Sequence, residues 1–324
     1  MDSGEILIVE NLEKYFPISG GFLRRSTAQI KAVDGVNLFI KKGETLGLVG
    51  ESGCGKSTLA RCILRLEEPT EGKVFFENKN ILAFSRKTLR RLRRDMQIIF
   101  QDPYSSLNPR KTVEQIIGDA FVIHGILSGR DLYDRVKELM DLVGLLPEHI
   151  HRYPHEFSGG QRQRICVARA LALHPKLVIA DEPVSSLDVS IQAQILNLLV
   201  QLQHKFDLTY MFISHNLNVV RHISDRVAVM YLGRIVELAN SRSLFSQPFH
   251  PYTEALASAV PSGNPLMKKE RILLEGDVPS PINPPPGCSF HPRCRYRQEI
   301  CKRTVPAMEE IKEGRWVACY FPRR

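Results

Sequence analysis

The sequence predicts an α/β fold with a largely parallel sheet, and three observations carry that expectation. Short apolar runs with strand character alternate with helical periodicity along most of the chain. A glycine-rich turn stands between one such run and the helix that follows it, and beyond residue 245 the regular pattern gives way to prolines. Residues 6–9, 33–40 and 45–50 read as strands, with a turn at Lys42 and Gly43, and an antiparallel β region is expected near the N-terminus. Residues 57–66 read as a helix, 73–77 and 96–100 as strands, and about 113–144 as a helical insertion, from apolar positions three and four apart. Strand character returns at 177–180, 209–214, 226–231 and 234–238.

A chain of 324 residues, 43% of them hydrophobic, is long enough for a well-packed core. Its longest apolar stretches fall far short of the ~18 residues that a spanning helix needs. The start, Met1 to Glu5, lacks the basic and apolar regions of a secretory signal, so a cytosolic location is expected. A formal charge of +9 and a pI near 9.2 suit nucleic acid, an anionic membrane face or a nucleotide site, and do not choose among them. The densest basic run, Arg86 to Arg94, places Leu89 and Leu92 three apart. It reads as an amphipathic helix with a solvated face, with lipid head groups or RNA as alternative contacts.

Gly50, Glu51, Ser52, Gly53, Cys54, Gly55, Lys56, Ser57 and Thr58 match the phosphate-binding loop pattern, after an expected strand and before an expected helix. Glycines let backbone N–H groups turn inward around phosphates, and the helix start adds positive potential. Lys56 is expected on the β and γ phosphates and Ser57 on Mg²⁺. The apolar run Leu177 to Ala180 ends in Asp181 and Glu182, as a strand that carries a magnesium-binding acid and a water-polarising acid should. Cys54 lies inside the loop, either as a thiol that makes ATP binding sensitive to modification or as a small residue in a tight turn.

Further along stand Ser158, Gly159, Gly160 and Gln161 after Phe157, Gln101 after a strand, Ser186, Leu187 and Asp188 after the acids, and His215 after another strand. With these the chain resembles the ABC ATPase family over about residues 5–245. The resemblance implies a RecA-like core with an N-terminal antiparallel β region and an inserted helical subdomain. The cassette would occupy residues 1–245, its helical subdomain about 102–163. It also implies roles. Ser158 to Gln161 would cap the γ-phosphate of ATP held by a second subunit, so that hydrolysis needs a dimer. Gln101 would sense Mg²⁺ and the attacking water, Asp188 would link the two sites, and His215 would contact the γ-phosphate. Phe16 would stack on adenine, with Tyr15 as the alternative.

A narrower resemblance, to the ATPase subunits of dipeptide and oligopeptide importers, rests on residues 31–36 (KAVDGV), 101–110 (QDPYSSLNPR), 152–164 (RYPHEFSGGQRQR) and 250–253 (HPYT). The SLNPR run is similar to the second, F-type, of the two paired ATPases. That implies a different ATPase as partner, two membrane permeases docked near residues 102–112, and an extracellular peptide-binding protein met only indirectly. The chain would then lie on the cytoplasmic face of the membrane. Cargo never touches such a subunit, so nickel, glutathione or another small solute stays open. A soluble ABC protein acting on nucleic acid or ribosomes is the rival from another class. It is disfavoured by the single cassette and the short separation of the motifs, and no nucleic-acid partner is expected.

The tail from 246 to 324 reads as a small irregular appendage rich in proline and cysteine. Seven cysteines, an odd number, argue against a disulfide framework, and Cys288, Cys294, Cys301 and Cys319 gather here. Four thiolates complete a zinc site or hold a [4Fe–4S] cluster, and their spacing does not choose between the two. The peptide-importer resemblance implies the cluster.

Overall fold

A computed structural model describes residues 4–18, 28–260 and 271–323; Met1 to Ser3 at the acidic start, and Pro261 and Pro265, lie outside the described residues. The strands are β1 (Glu5–Pro17), β2 (Gln29–Lys41), β3 (Thr45–Val49), β4 (Glu71–Phe76), β5 (Lys79–Asn80), β6 (Met96–Ile99), β7 (Leu177–Asp181), β8 (Thr209–Ile213), β9 (Arg226–Tyr231), β10 (Arg234–Asn240), β11 (Glu309–Lys312) and β12 (Arg315–Val317). The chain divides into two compact units, residues 1–82 with 213–324, and residues 83–212.

In the first unit an antiparallel sheet runs β2-β1-β4-β5. Its inward residues, among them Leu7, Leu12, Val36 and Ile40, are almost fully buried. A mixed sheet runs alongside in sequence: β3 pairs with β9 in parallel, while β10 pairs with β9 and β12, and β11 with β12, all antiparallel. The expectation of a largely parallel sheet therefore meets a correction at this edge. Leu232 and Gly233, with φ of 42° and 80°, turn the chain so tightly that β10 must return beside β9 as a hairpin.

The second unit carries β6 and β7 in parallel, with Ile99 opposite Ala180. The helical stretch expected over 113–144 is two helices, Val113–His124 and Gly129–Leu142. A capping box between Thr112 and Gln115 starts the first, and Gly125 at φ 63° ends it. The basic run forms the helix Arg86–Leu92, which buries Leu89 and leaves Arg86, Lys87, Arg90 and Arg91 exposed. Among the described residues no helix is long and apolar enough to cross a membrane.

The tail is less irregular than its prolines imply. After a turn at His291–Arg293 and a helix at Glu299–Arg303, the hairpin β11–β12 adds to β10, with Glu237 opposite Val317 and Leu238 opposite Trp316. Arg315 anchors it. Its guanidinium reaches the buried Glu237 carboxylate at 3.3 Å and lies 3.5 Å over the Phe249 ring.

Candidate functional site

The phosphate loop belongs to the first unit. All five residues of β3 are buried, so the strand is a fixed base from which the chain turns at Gly50 to Gly55 into the helix Lys56–Ile63. Gly55 precedes that helix at φ 107°, and a Cβ there would stand 1.9 Å from the Ala32 carbonyl oxygen. Only glycine fits. Ser52 and Gly53 are exposed at the tip, Ser57 and Thr58 open the helix, and Cys54 is 3% exposed and so shielded from reagents. Burial pushes the Cys54 thiol up, and it is correspondingly unreactive.

Lys56 is itself buried. Its ammonium donates to the Gly50 and Glu51 carbonyl oxygens at 2.9 and 3.0 Å, bending the side chain back over the front of the loop. Glu51 is held from elsewhere as well. Its N–H donates to the Tyr252 hydroxyl at 3.0 Å, and its carboxylate accepts two hydrogen bonds from Arg293 at 2.7 and 3.1 Å. Sequence reasoning missed both partners. Tyr252 sits in the HPYT stretch and Arg293 among the tail cysteines, and a separation of 242 residues leaves no local signal for that ion pair.

His215 is exposed in the same unit, just after Ser214, whose N–H donates to the Leu48 carbonyl of β3. On β1, the Tyr15 hydroxyl donates to Asp34 at 2.6 Å, and burial and then that bond push the phenol far above its usual range. Phe16 points to the opposite side of the strand, half-buried, with the Lys14 ammonium 4.7 Å from its ring centre.

The acids belong to the second unit. Parallel pairing of Ile99 with Ala180 brings the residues two beyond each to the same sheet end, and Gln101 Nε2 donates to Glu182 Oε2 at 3.0 Å. Asp181 is 3% exposed and Glu182 9%. Glu182 has φ 46°, a conformation that costs a non-glycine residue about 1 kcal/mol or more and often marks a functional position.

Ser158 heads the helix Gly159–Leu171 in a reciprocal cap: its hydroxyl accepts from Gln161 N–H at 3.3 Å, and Gln161 Oε1 accepts from Ser158 N–H at 3.0 Å. Gly160 has a packing reason, since a Cβ there would come within 2.5 Å of Ile191 on the helix Val189–Phe206. Asp188 stands exposed at the head of that helix, beside Val189, which is 81% exposed.

Cys288, Cys294, Cys301 and Cys319 line one small cavity of about 20 Å³ in the first unit, together with His250 and Phe290. Burial pushes the Cys319 thiol up to about 12, and the other three add to the shift. Among the described residues no group of three or more His, Cys, Asp or Glu side chains is placed to hold a metal ion. The four thiols thus line one space without forming such a group.

Residues 33–185 match the family model "ABC transporter", and residues 236–301 match "Oligopeptide/dipeptide transporter, C-terminal region". The chain is 54% identical over 319 residues to the oligopeptide transport ATP-binding protein AppF of Bacillus subtilis, covering 98% of this chain and 97% of that one. It is 49% identical over 309 residues to the dipeptide transport ATP-binding protein DppF of Haemophilus influenzae, covering 95% and 94%. Among solved structures it resembles cbiO1 of Clostridium perfringens, part of an ABC transporter complex, at TM-score 0.64 and 31% identity over 75% of this chain and 92% of that one. The ATP-binding cassette MJ0796, solved as a dimer bound to ADP and Pi, matches at TM-score 0.64 and 30% identity over 73% and 99%. The present chain carries a phosphate loop, paired strand-end acids and a capped signature helix, and it belongs to the ABC transporter family, among the ATP-binding proteins of oligopeptide and dipeptide transport.

Proposed function

We propose that this chain binds and hydrolyses ATP to energise an ABC importer of dipeptides or oligopeptides, as the F-type member of a pair of ATPases. The observation that supports it most is identity of about half over nearly the whole length to relatives named for peptide transport, tail included. The cassette is assigned to residues 1–245, with its helical subdomain at about 102–163, and the tail to 246–324. The partners are a second ATPase, two membrane permeases near residues 102–112, and an extracellular binding protein met only through them. Attachment to the membrane is peripheral, through the permeases on its cytoplasmic face.

In this reading Lys56 turns from the loop carbonyls to the β and γ phosphates, and backbone N–H groups of the loop beyond Glu51 receive the remaining charge. Asp181, Ser57 and Gln101 are assigned to Mg²⁺ on the chemistry of their oxygen donors, and the ion would neutralise phosphate charge when bound. Glu182 orients and deprotonates the attacking water, while Gln101 holds its carboxylate. His215 contacts the γ-phosphate. Phe16 stacks on adenine, with Tyr15, whose hydroxyl donates to Asp34, as the alternative. Ser158, Gly159, Gly160 and Gln161 act on the ATP of the partner subunit, and Asp188 with exposed Val189 lies at that interface.

To Cys288, Cys294, Cys301 and Cys319, which line one space, we assign a [4Fe–4S] cluster, with Zn²⁺ as the alternative. Such a group, when bound, cross-links four points of a tail with little core of its own.

The test is reconstitution of the chain with its permeases and second ATPase in vesicles. ATP-dependent accumulation of a labelled dipeptide or oligopeptide, abolished by Lys56→Ala, is expected. Turnover stimulated by nickel or glutathione and indifferent to peptide would assign another cargo.

A further inference from the structure

Glu51 is the only acid in the phosphate loop, and a carboxylate is out of place where a polyanion must bind. The structure answers that conflict with residues from the far end of the chain. Arg293 forms a two-pronged ion pair with Glu51 at 2.7 and 3.1 Å, its side chain 8% exposed and that of Glu51 27%. Tyr252, fully buried, receives the Glu51 N–H at 3.0 Å. Its ring packs on Tyr231 at 4.7 Å and on Phe290 at 5.4 Å. Phe290 and Arg293 both lie between Cys288 and Cys294. The segment that carries two of the cage thiols is thus the segment that holds the front of the phosphate loop.

We propose that the cysteine-bearing tail sets the nucleotide affinity of the phosphate loop. Arg293 neutralises and braces Glu51, and Tyr252 fixes the Glu51 N–H, so both are positioning residues that act through Glu51 and touch no nucleotide. A fork of two charge-assisted hydrogen bonds, nine-tenths buried on the arginine side, fixes direction as well as charge. Losing it frees a carboxylate to repel the phosphates and lets the loop open. The proposal rests on the ATP-binding reading above and holds whatever group the four thiols bind.

The experiment is equilibrium binding of Mg-ATP to the full chain, with amide hydrogen exchange over residues 50–56, for the unsubstituted protein, Arg293→Gln, Glu51→Gln and the double variant. Arg293→Gln is expected to weaken binding about tenfold or more and to speed exchange in the loop, with Arg293→Lys recovering part of the loss. In the Glu51→Gln background the same arginine change is expected to alter affinity less than about twofold, since its target is gone. Equal losses in both backgrounds, or an Arg293→Gln protein that binds like the original, would overturn the proposal. An unsubstituted chain that binds no ATP would overturn the nucleotide reading and this inference with it. Should Arg293→Gln fail to fold, Tyr252→Phe removes one oxygen from a buried ring. It is expected to weaken binding about threefold and to speed exchange at Glu51, and unchanged affinity and exchange would count against the idea.

Discussion

Two glycine-containing turns in this chain each precede a helix and each is assigned to phosphate, yet they are built on opposite plans. The phosphate loop is closed by tertiary contacts: Lys56 bends over its front, Tyr252 and Arg293 hold Glu51, and Ala32 leaves no room beyond a hydrogen at Gly55. The hydrogen bonds of the signature turn close on the turn itself. Ser158 and Gln161 satisfy each other in a cap, and both are exposed. A braced cradle can bind its anion alone, whereas a self-capped, exposed turn is stable without a ligand and is free to meet one carried by another subunit.

The contrast breaks first at the chemistry. Glu182→Gln keeps the hydrogen-bonded geometry with Gln101 but removes the proposed base, so ATP turnover is expected to fall about 10²- to 10⁴-fold while nucleotide binding persists. Parallel assays of binding and turnover check it. Next, Gly55→Ala forces a Cβ against the Ala32 carbonyl at an unfavourable φ and is expected to cost on the order of 3 kcal/mol, read as a lowered denaturation midpoint with loss of ATP binding.

On the signature side, Gly160→Ala drives a methyl into the Ile191 side chain, with an expected loss of about 1–3 kcal/mol. Ile191→Ala in the same protein should return part of it, since the obstacle is a side chain and not backbone. Ser158→Ala removes one half of the cap and is expected to cost about 1 kcal/mol in chemical denaturation, leaving the ATP affinity of the isolated chain unchanged.

Acid sharpens the comparison further. His250 is fully buried and its pKa falls to about 3 through desolvation, while its Nδ1 accepts the Tyr252 N–H at 3.1 Å. The unfolded chain takes up this proton near pH 6.5 and the folded one does not, so the stability it contributes is complete above that pH. It drains away as pH falls toward 3. Denaturation midpoints between pH 7 and 4 should decline less in His250→Asn.

The halves differed equally in how much of them could be read from sequence. Leu177 to Glu182 was legible because an apolar run that stops at two acids is a local pattern, and parallel register then carried Gln101 to Glu182. The second half of β1, from Glu10 to Pro17, was not legible. It is mostly polar and irregular, and becomes a strand because β2 pairs with it as far as Pro17 and β4 as far as Glu13. The β11–β12 hairpin was hidden for the same reason, since β11 is mostly exposed and β12 is ordered by pairing with β10 and by the contact of its Arg315 with Glu237. For Gly160 the residue was found and the reason was incomplete, since Ile191 enters from another helix. Arg293 and Tyr252 escaped altogether, because an ion pair across 242 residues exists only after folding.

The most direct measurement sets Lys56→Ala beside Gly159→Asp, assaying ATP binding by the isolated chain and turnover by the assembled transporter. Binding by the isolated chain should vanish with Lys56→Ala and stay unchanged with Gly159→Asp, while turnover is lost in both. If Gly159→Asp weakened binding by the isolated chain as severely as Lys56→Ala, the signature turn would serve its own subunit's ATP. The division between a self-sufficient cradle and a turn that works on a partner would then be wrong.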